Sequence, residues 1–230
     1  MYGIAKFVSI VALAVWFARA GRADTVQIDL SGLVNSDLTT YTGGSNYPQH
    51  GGPITVDGIP FELATIGAQQ DTAVVQTSGT QDFSIPVDTF GVTSADVLVN
   101  SADGSCGTDV GGIDFVGSSA TYSYKLTEGV NVRDHFGGAF CNSAGDITGT
   151  SSFGGGADRL DLDSIELPPS FANQTLEAID FKGFGEGQLG DPFLAAATLD
   201  PDPAAVPEPA DLVVVGLAAA AMLLFRRRLR

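Results

Sequence analysis

Apolar side chains in this chain recur mostly at every second position, the period of a strand with one buried face. Val26, Ile28 and Leu30 share such a face. So do Ile59, Phe61 and Leu63; Phe83, Ile85 and Val87; and Ala120, Tyr122, Tyr124 and Leu126. Val130 and Val132 suggest another short strand, which puts Arg133 and His135 together on its outward face. Further strands are expected at 95–100 and 112–116. Within 159–167 the apolar phase slips from Leu160 and Leu162 to Ile165 and Leu167, predicting a β-bulge near Ser164; 176–181 slips similarly. No amphipathic helical window longer than about ten residues breaks the pattern between the two ends. About ten short strands, spaced by turns rich in Gly, Asp and Ser, predict an all-β domain. The expected architecture is an antiparallel β-sandwich of jelly-roll type over residues 24–200, with longer loops at 39–53 and 141–157.

Two continuous apolar runs flank this domain. Lys6 precedes the run 7–17, which only Ser9 interrupts, and Ala18-Arg19-Ala20 supplies small residues at the positions a signal peptidase reads. Residues 1–20 therefore read as a secretory signal peptide, with cleavage after Ala20 or Ala23 both open. At the other end, a Pro-, Asp- and Ala-rich linker at 201–205 leads into Val206-Pro207-Glu208-Pro209-Ala210. The two prolines fix φ and favour extended backbone. Residues 212–225 carry no charge, and Arg226, Arg227, Arg228 and Arg230 follow. A 14-residue helix is roughly 21 Å long against a hydrocarbon core of about 30 Å. Snorkelling arginines and local thinning make so short a transmembrane helix tolerable. The positive-inside rule puts the arginines in the cytoplasm and the β-domain across the membrane.

Charge has to be read on the domain alone. Seven of the 11 basic residues lie in the end segments, leaving Lys125, Arg133, Arg159 and Lys182 against 25 acidic residues, a net charge of −21 over 24–205. A polyanion would meet a field of its own sign, which excludes nucleic acid and anionic lipid heads as partners. The field suits divalent cations. Asp158, Asp161 and Asp163 form the densest carboxylate group, and a structural Ca2+ is the cofactor that hard oxygen ligands of this kind suit. The competing reading is a solvated acidic edge that discourages edge-to-edge pairing. Cys106 and Cys141 are the only cysteines and predict one disulfide in an exported chain. No nucleophile elbow, phosphate loop or zinc helix is present, so no catalytic residue is assigned. His135 reads as part of an exposed polar strand face and His50 as a loop residue. The only Trp, Trp16, lies in the signal peptide, which leaves Tyr41 and Tyr47 as candidate glycan contacts.

The order Val-Pro-Glu-Pro-Ala, short apolar helix, Arg-Arg-Arg-Leu-Arg at 206–230 resembles the PEP-CTERM sorting signal of exported Gram-negative proteins. That resemblance implies the Sec translocon and an exosortase as partners, with Pro207, Glu208 and Pro209 as the recognition element. It also implies passage from the inner membrane, the domain on its periplasmic side, to the cell surface or extracellular matrix. The phrases Tyr41-Thr42-Gly43-Gly44-Ser45-Asn46-Tyr47-Pro48, Gly58-Ile59-Pro60-Phe61, Gly91-Val92-Thr93 and Asn131-Val132-Arg133-Asp134-His135 are similar to exported β-sandwich proteins bearing this tail. They imply a sandwich and no activity. The leading expectation is a non-enzymatic surface or matrix protein associated with exopolysaccharide or biofilm. The alternative is a carbohydrate-binding, lectin-like module or, with less behind it, a glycan-active hydrolase.

Overall fold

The computed structural model describes residues 25–40, 46–67, 71–137, 140–184 and 190–202. The expected signal peptide and the sorting tail lie outside the described residues. Among these, fourteen strands follow in order: β1 (Val26–Gln27), β2 (Ser36–Asp37), β3 (Gly52–Val56), β4 (Ile59–Leu63), β5 (Thr65–Ile66), β6 (Asp71–Gln76), β7 (Asp82–Phe90), β8 (Val92–Ala102), β9 (Asp109–Gly117), β10 (Thr121–Thr127), β11 (Gly149–Phe153), β12 (Asp158–Glu166), β13 (Thr175–Gly183) and β14 (Asp191–Pro201). One 3-10 turn, Pro169–Asn173, precedes β13.

The domain is an antiparallel β-sandwich. Its main sheet runs β11-β12-β8-β14-β6-β2, with β1 also on β14 and β5 on β6; the second sheet runs β10-β9-β13-β7. A separate hairpin, β3-β4, covers the other face of the main sheet. Its two-residue turn, Asp57-Gly58, has φ 50° and 84°, the left-handed pair that a type I′ hairpin requires.

The main sheet is thus the middle of three layers, and this accounts for its least alternating strands. In β6, Val75 faces the second sheet and Val74 faces the hairpin; in β8, Val97 and Val99 face one way and Leu98 the other. Strands buried on both faces lose the period-2 signal. That is why Ala73-Val74-Val75 and the Phe193-to-Ala197 run of β14 carry none, although β14 pairs with β8 from Asp191 opposite Ala102 to Pro201 opposite Val92.

The same layering overturns the bulge expected near Ser164. β12 runs in unbroken register against β8 from Leu162 opposite Leu98 to Glu166 opposite Ser94. Leu160 and Leu162 belong to the hairpin-side core and Ile165 to the inter-sheet core, so the phase slip marks a change of buried face along one regular strand. The slip expected in 176–181 is a real bulge: the register of β13 shifts between Leu176 and Ala178 against both neighbours. The strand expected at Val130 and Val132 is a turn, in which the amides of Val130 and Asn131 both bond the Thr127 carbonyl.

Two ends of the sandwich follow from the register. Val26 lies opposite Leu199, and the Asp202 amide bonds the Gly91 carbonyl, so the first and last described residues leave side by side. Ala102, Asp109, Thr127, Asp158 and Asp191 lie at the opposite, far end.

Candidate functional site

A buried polar knot occupies the far end, built where four segments meet. β8 supplies Asn100 and Ser101, β12 supplies Asp158, Arg159 and Asp161, the turn region after β10 supplies Glu128 and 133–135, and the loop before β3 supplies Asn46 and Tyr47. Of these, all but Asn46 and Arg133 are buried.

Asp161 is its most heavily bonded member. One carboxylate oxygen accepts from Arg133 Nε (2.8 Å) and Asn100 Nδ2 (2.6 Å), the other from Arg133 Nη2 (2.7 Å) and Thr150 Oγ1 (2.8 Å). This bidentate pairing, a fork matching a carboxylate, raises the Arg133 pKa further, chiefly through the Asp161 bond. Arg159 lies beside it, its Nε donating to the Asp134 carbonyl at 3.0 Å and its Nη2 to Asn142 Oδ1 at 2.8 Å. Burial lowers the Arg159 pKa, and the neighbouring Arg133 charge adds to that.

Tyr47 and His135 form the second half of the knot. The Tyr47 hydroxyl lies 2.9 Å from both the Arg159 carbonyl and His135 Nδ1. A carbonyl can only accept, so the tyrosine proton points to Arg159 and the imidazole carries its proton on Nδ1. Burial pushes the His135 pKa down to about 4 and raises the Tyr47 hydroxyl well above its ordinary value. At neutral pH both rings are uncharged, a packed pair flanked by Phe153 and Phe193.

Several expectations need correcting here. His135 and Arg133 do not share an exposed strand face: the His135 amide bonds the Ser101 carbonyl and its ring is buried, because residues 133–135 cross the end of β8. Tyr47 is buried under the same segment and presents no face to a sugar, while Tyr41 lies outside the described residues. His50 is exposed in its loop, as expected. Asp158, Asp161 and Asp163 do not form a solvated edge, because β11 covers the edge of β12 and all three are buried. Nor do they converge. Asp158 accepts from the Asn46 amide, Asp161 holds Arg133, and Asp163 takes the Tyr124 hydroxyl at 2.7 Å from the second sheet. Burial pushes the Asp163 carboxyl up to about 6. Among the described residues no group of three or more His, Cys, Asp or Glu side chains is arranged to hold a metal ion. Pro207, Glu208, Pro209 and the four tail arginines lie outside the described residues.

The expected disulfide is present, Cys106 to Cys141 with Cα atoms 5.2 Å apart, beside the knot. It ties a lobe of residues 128–137 and 140–142 to the loop that carries Cys106, and the surface of that lobe carries Val130, Phe136 and Phe140, exposed by 47%, 41% and 62%. Glu128, Asp134, Asn100 and Ser101 leave no mark in the apolar period. The dense polar run from Thr127 to His135 was the available signal, but its partners come from more than 20 residues away.

Chemically, the knot clamps segments together, with Tyr47 and His135 buried among the described residues. A shallow open pocket elsewhere is lined by Gln27, Ile28, Asp29, Leu30, Glu62 and Ala64. No protein-family model matches the chain, and no curated protein matches it significantly.

Proposed function

We propose that this chain is an exported, non-enzymatic surface or matrix protein, delivered through its C-terminal tail to an exosortase. The reading is carried by one observation: Pro-Glu-Pro, a 14-residue uncharged run and an arginine cluster stand in that order at 206–230. Two features of the domain support it. A disulfide persists in oxidising compartments outside the cytoplasm. The described chain also enters and leaves the sandwich side by side, so a domain tethered there turns its far end away from the tether.

In this reading the Sec translocon recognises residues 1–20, or up to 23, and residues 212–225 halt in the inner membrane with the arginines inside. The extended Pro207-Glu208-Pro209 segment suits a protease cleft, because a helix must unwind before its backbone can be attacked. Replacing these three residues with alanine keeps the apolar run and the arginines. In an exosortase-bearing host this variant should accumulate as an uncleaved, membrane-held precursor. Cleavage and release at the normal rate would reduce the motif to a linker and sink the reading.

A second reading, a carbohydrate-binding module, is favoured by the exposed rings of Phe136 and Phe140 at the far end. They replace the buried Tyr47 as candidate contacts. On a glycan array with and without calcium, binding that Phe136→Ala and Phe140→Ala together reduce at least about tenfold, a loss of roughly 1.4 kcal/mol, would favour this module. Binding to no glycan would leave the structural reading alone.

A further inference from the structure

We propose that Glu128 is a proton-operated latch: while its carboxyl is neutral it pins the lobe that the disulfide ties down, residues 128–137 and 140–142, to the far end of the sandwich, and ionisation loosens that lobe. The inference goes beyond the sorting proposal and does not rest on it.

Glu128 is 0% exposed. Its backbone is strapped to the loop that carries Cys106, its amide bonding the Thr108 carbonyl at 2.8 Å and its carbonyl accepting from the Gly107 amide at 2.7 Å. Its side chain runs inward to β8, with Oε2 lying 2.6 Å from Ser101 Oγ. Oε1 has no hydrogen-bond partner among the described residues. Gly104 closes over the carboxyl so tightly that a Cβ there would stand 2.5 Å from Glu128 Cδ, and Gly190 packs in turn against Gly104. No room is left for the group to turn toward solvent.

The charged groups around it set the sign. From the lobe comes Asp134, whose two oxygens already accept the amides of Asp103 (3.0 Å) and Phe136 (2.7 Å), the pattern of an ionised carboxylate. From β12 comes Arg159, but its guanidinium is committed to the Asp134 carbonyl and to Asn142. Farther out, Asp103 acts on both Asp134 and Asp191. An ionised Glu128 would therefore hold a charged oxygen without a donor, next to a second carboxylate and in a low dielectric. The neutral form escapes this by donating its proton to Ser101 Oγ across the same 2.6 Å contact. Of the two carboxyls, Glu128 is the one that keeps the proton.

Burial pushes the Glu128 carboxyl up to about 7 from an ordinary 4.5; the Asp134 charge works with it, and the Ser101 bond, the Asp134 backbone amide and the Arg159 charge work against it. A raised acid contributes stability that is fully present below about pH 4.5 and is lost as pH rises through about 7. If opening carries the carboxyl into water, the lobe-opening constant grows by at most about 70-fold between pH 5 and pH 8. Burial also raises Asp134 and Asp191 from the ordinary carboxylate value. Asp163, at about 6, has the same sign, whereas His135, at about 4, loses stability as pH falls. Asp163 takes the Tyr124 hydroxyl, away from Ser101, while the His135 amide bonds the Ser101 carbonyl within the lobe; a Glu128 variant separates both from the latch.

The test is amide hydrogen exchange on the full-length oxidised protein, corrected for intrinsic rates, at pH 5 and pH 8. The amides of Gly129, Asp134 and His135, all hydrogen-bonded within or beneath the lobe, report its opening. Opening should rise tenfold or more with pH in the unaltered protein and stay flat in Glu128→Gln, which keeps the neutral shape. Equal pH dependence in both proteins, or none in either, overturns the latch. Should Glu128→Gln fail to fold, the unaltered protein still decides. A carbon-13 titration of the Glu128 carboxyl with a midpoint above about 6, together with the rise in exchange from pH 5 to pH 8, supports it, and a midpoint below that rejects it.

Discussion

Replacing Asp161 with alanine should lower the unfolding free energy by about 3 kcal/mol, the low end of the cost of stranding a buried charge, because the Arg133 it leaves unpaired is only partly buried. The carboxylate accepts four bonds from Arg133, Asn100 and Thr150, and all of them are lost at once. Arg133 then keeps its charge with only the Asn142 carbonyl and the Thr150 hydroxyl beside it. Arg133→Ala should cost a similar amount, because the buried Asp161 is then the stranded group. The double replacement Arg133→Met with Asp161→Leu should recover much of the loss, since a buried pair barely outweighs its own desolvation. Urea midpoints of the three variants form the check. A single-variant loss under about 1 kcal/mol would mean that water already reaches the pair.

Removing the disulfide should have an effect of similar size and of a different kind. The bond closes a loop of sequence separation 35, which on the chain-entropy model contributes about 3–4 kcal/mol. For a domain of this size each kcal/mol moves the melting temperature by about 2–4 °C, so Cys106→Ser with Cys141→Ser should melt about 10 °C lower. The cost falls on the lobe, because the Asp134 amide bonds the Cys141 carbonyl and Gly129 packs on Cys141 Sγ. Scanning calorimetry of the oxidised and reduced protein tests this, and coincident melts would show that the bond closes nothing of consequence.

The alternation that located β4, β7 and β10 was readable because each has one wet face. β6 and β14 lie in the middle layer, and with apolar neighbours on both sides their pattern reads as a run without phase. The slip at Ser164 has the same cause, and in sequence a change of buried face looks the same as a bulge. The disulfide was legible because two cysteines allow one pairing. The knot was not. Arg133, His135 and Asp161 have the composition of a surface, and what buries them are partners brought from β8, β11 and the loop before β3. A pattern of two valines was also too short to tell a strand from the turn that Asn131 stabilises, its side chain bonding Thr127 and Lys125. Sequence periodicity reports on apolar faces, and a buried charge is defined by its neighbours in space.

The position of β14 sets how the domain responds to force. A pull on the C-terminal end enters through Asp202 into β14, which is clamped along its length by β8 on one side and held by β1 and β6 on the other. With the counterforce at the far end, the pull runs along the strand, so its ladder is sheared as a whole and no single pair opens first. The strand at the exit is thus the hardest to draw out, and under such a pull the far-end loops should yield before the attachment does.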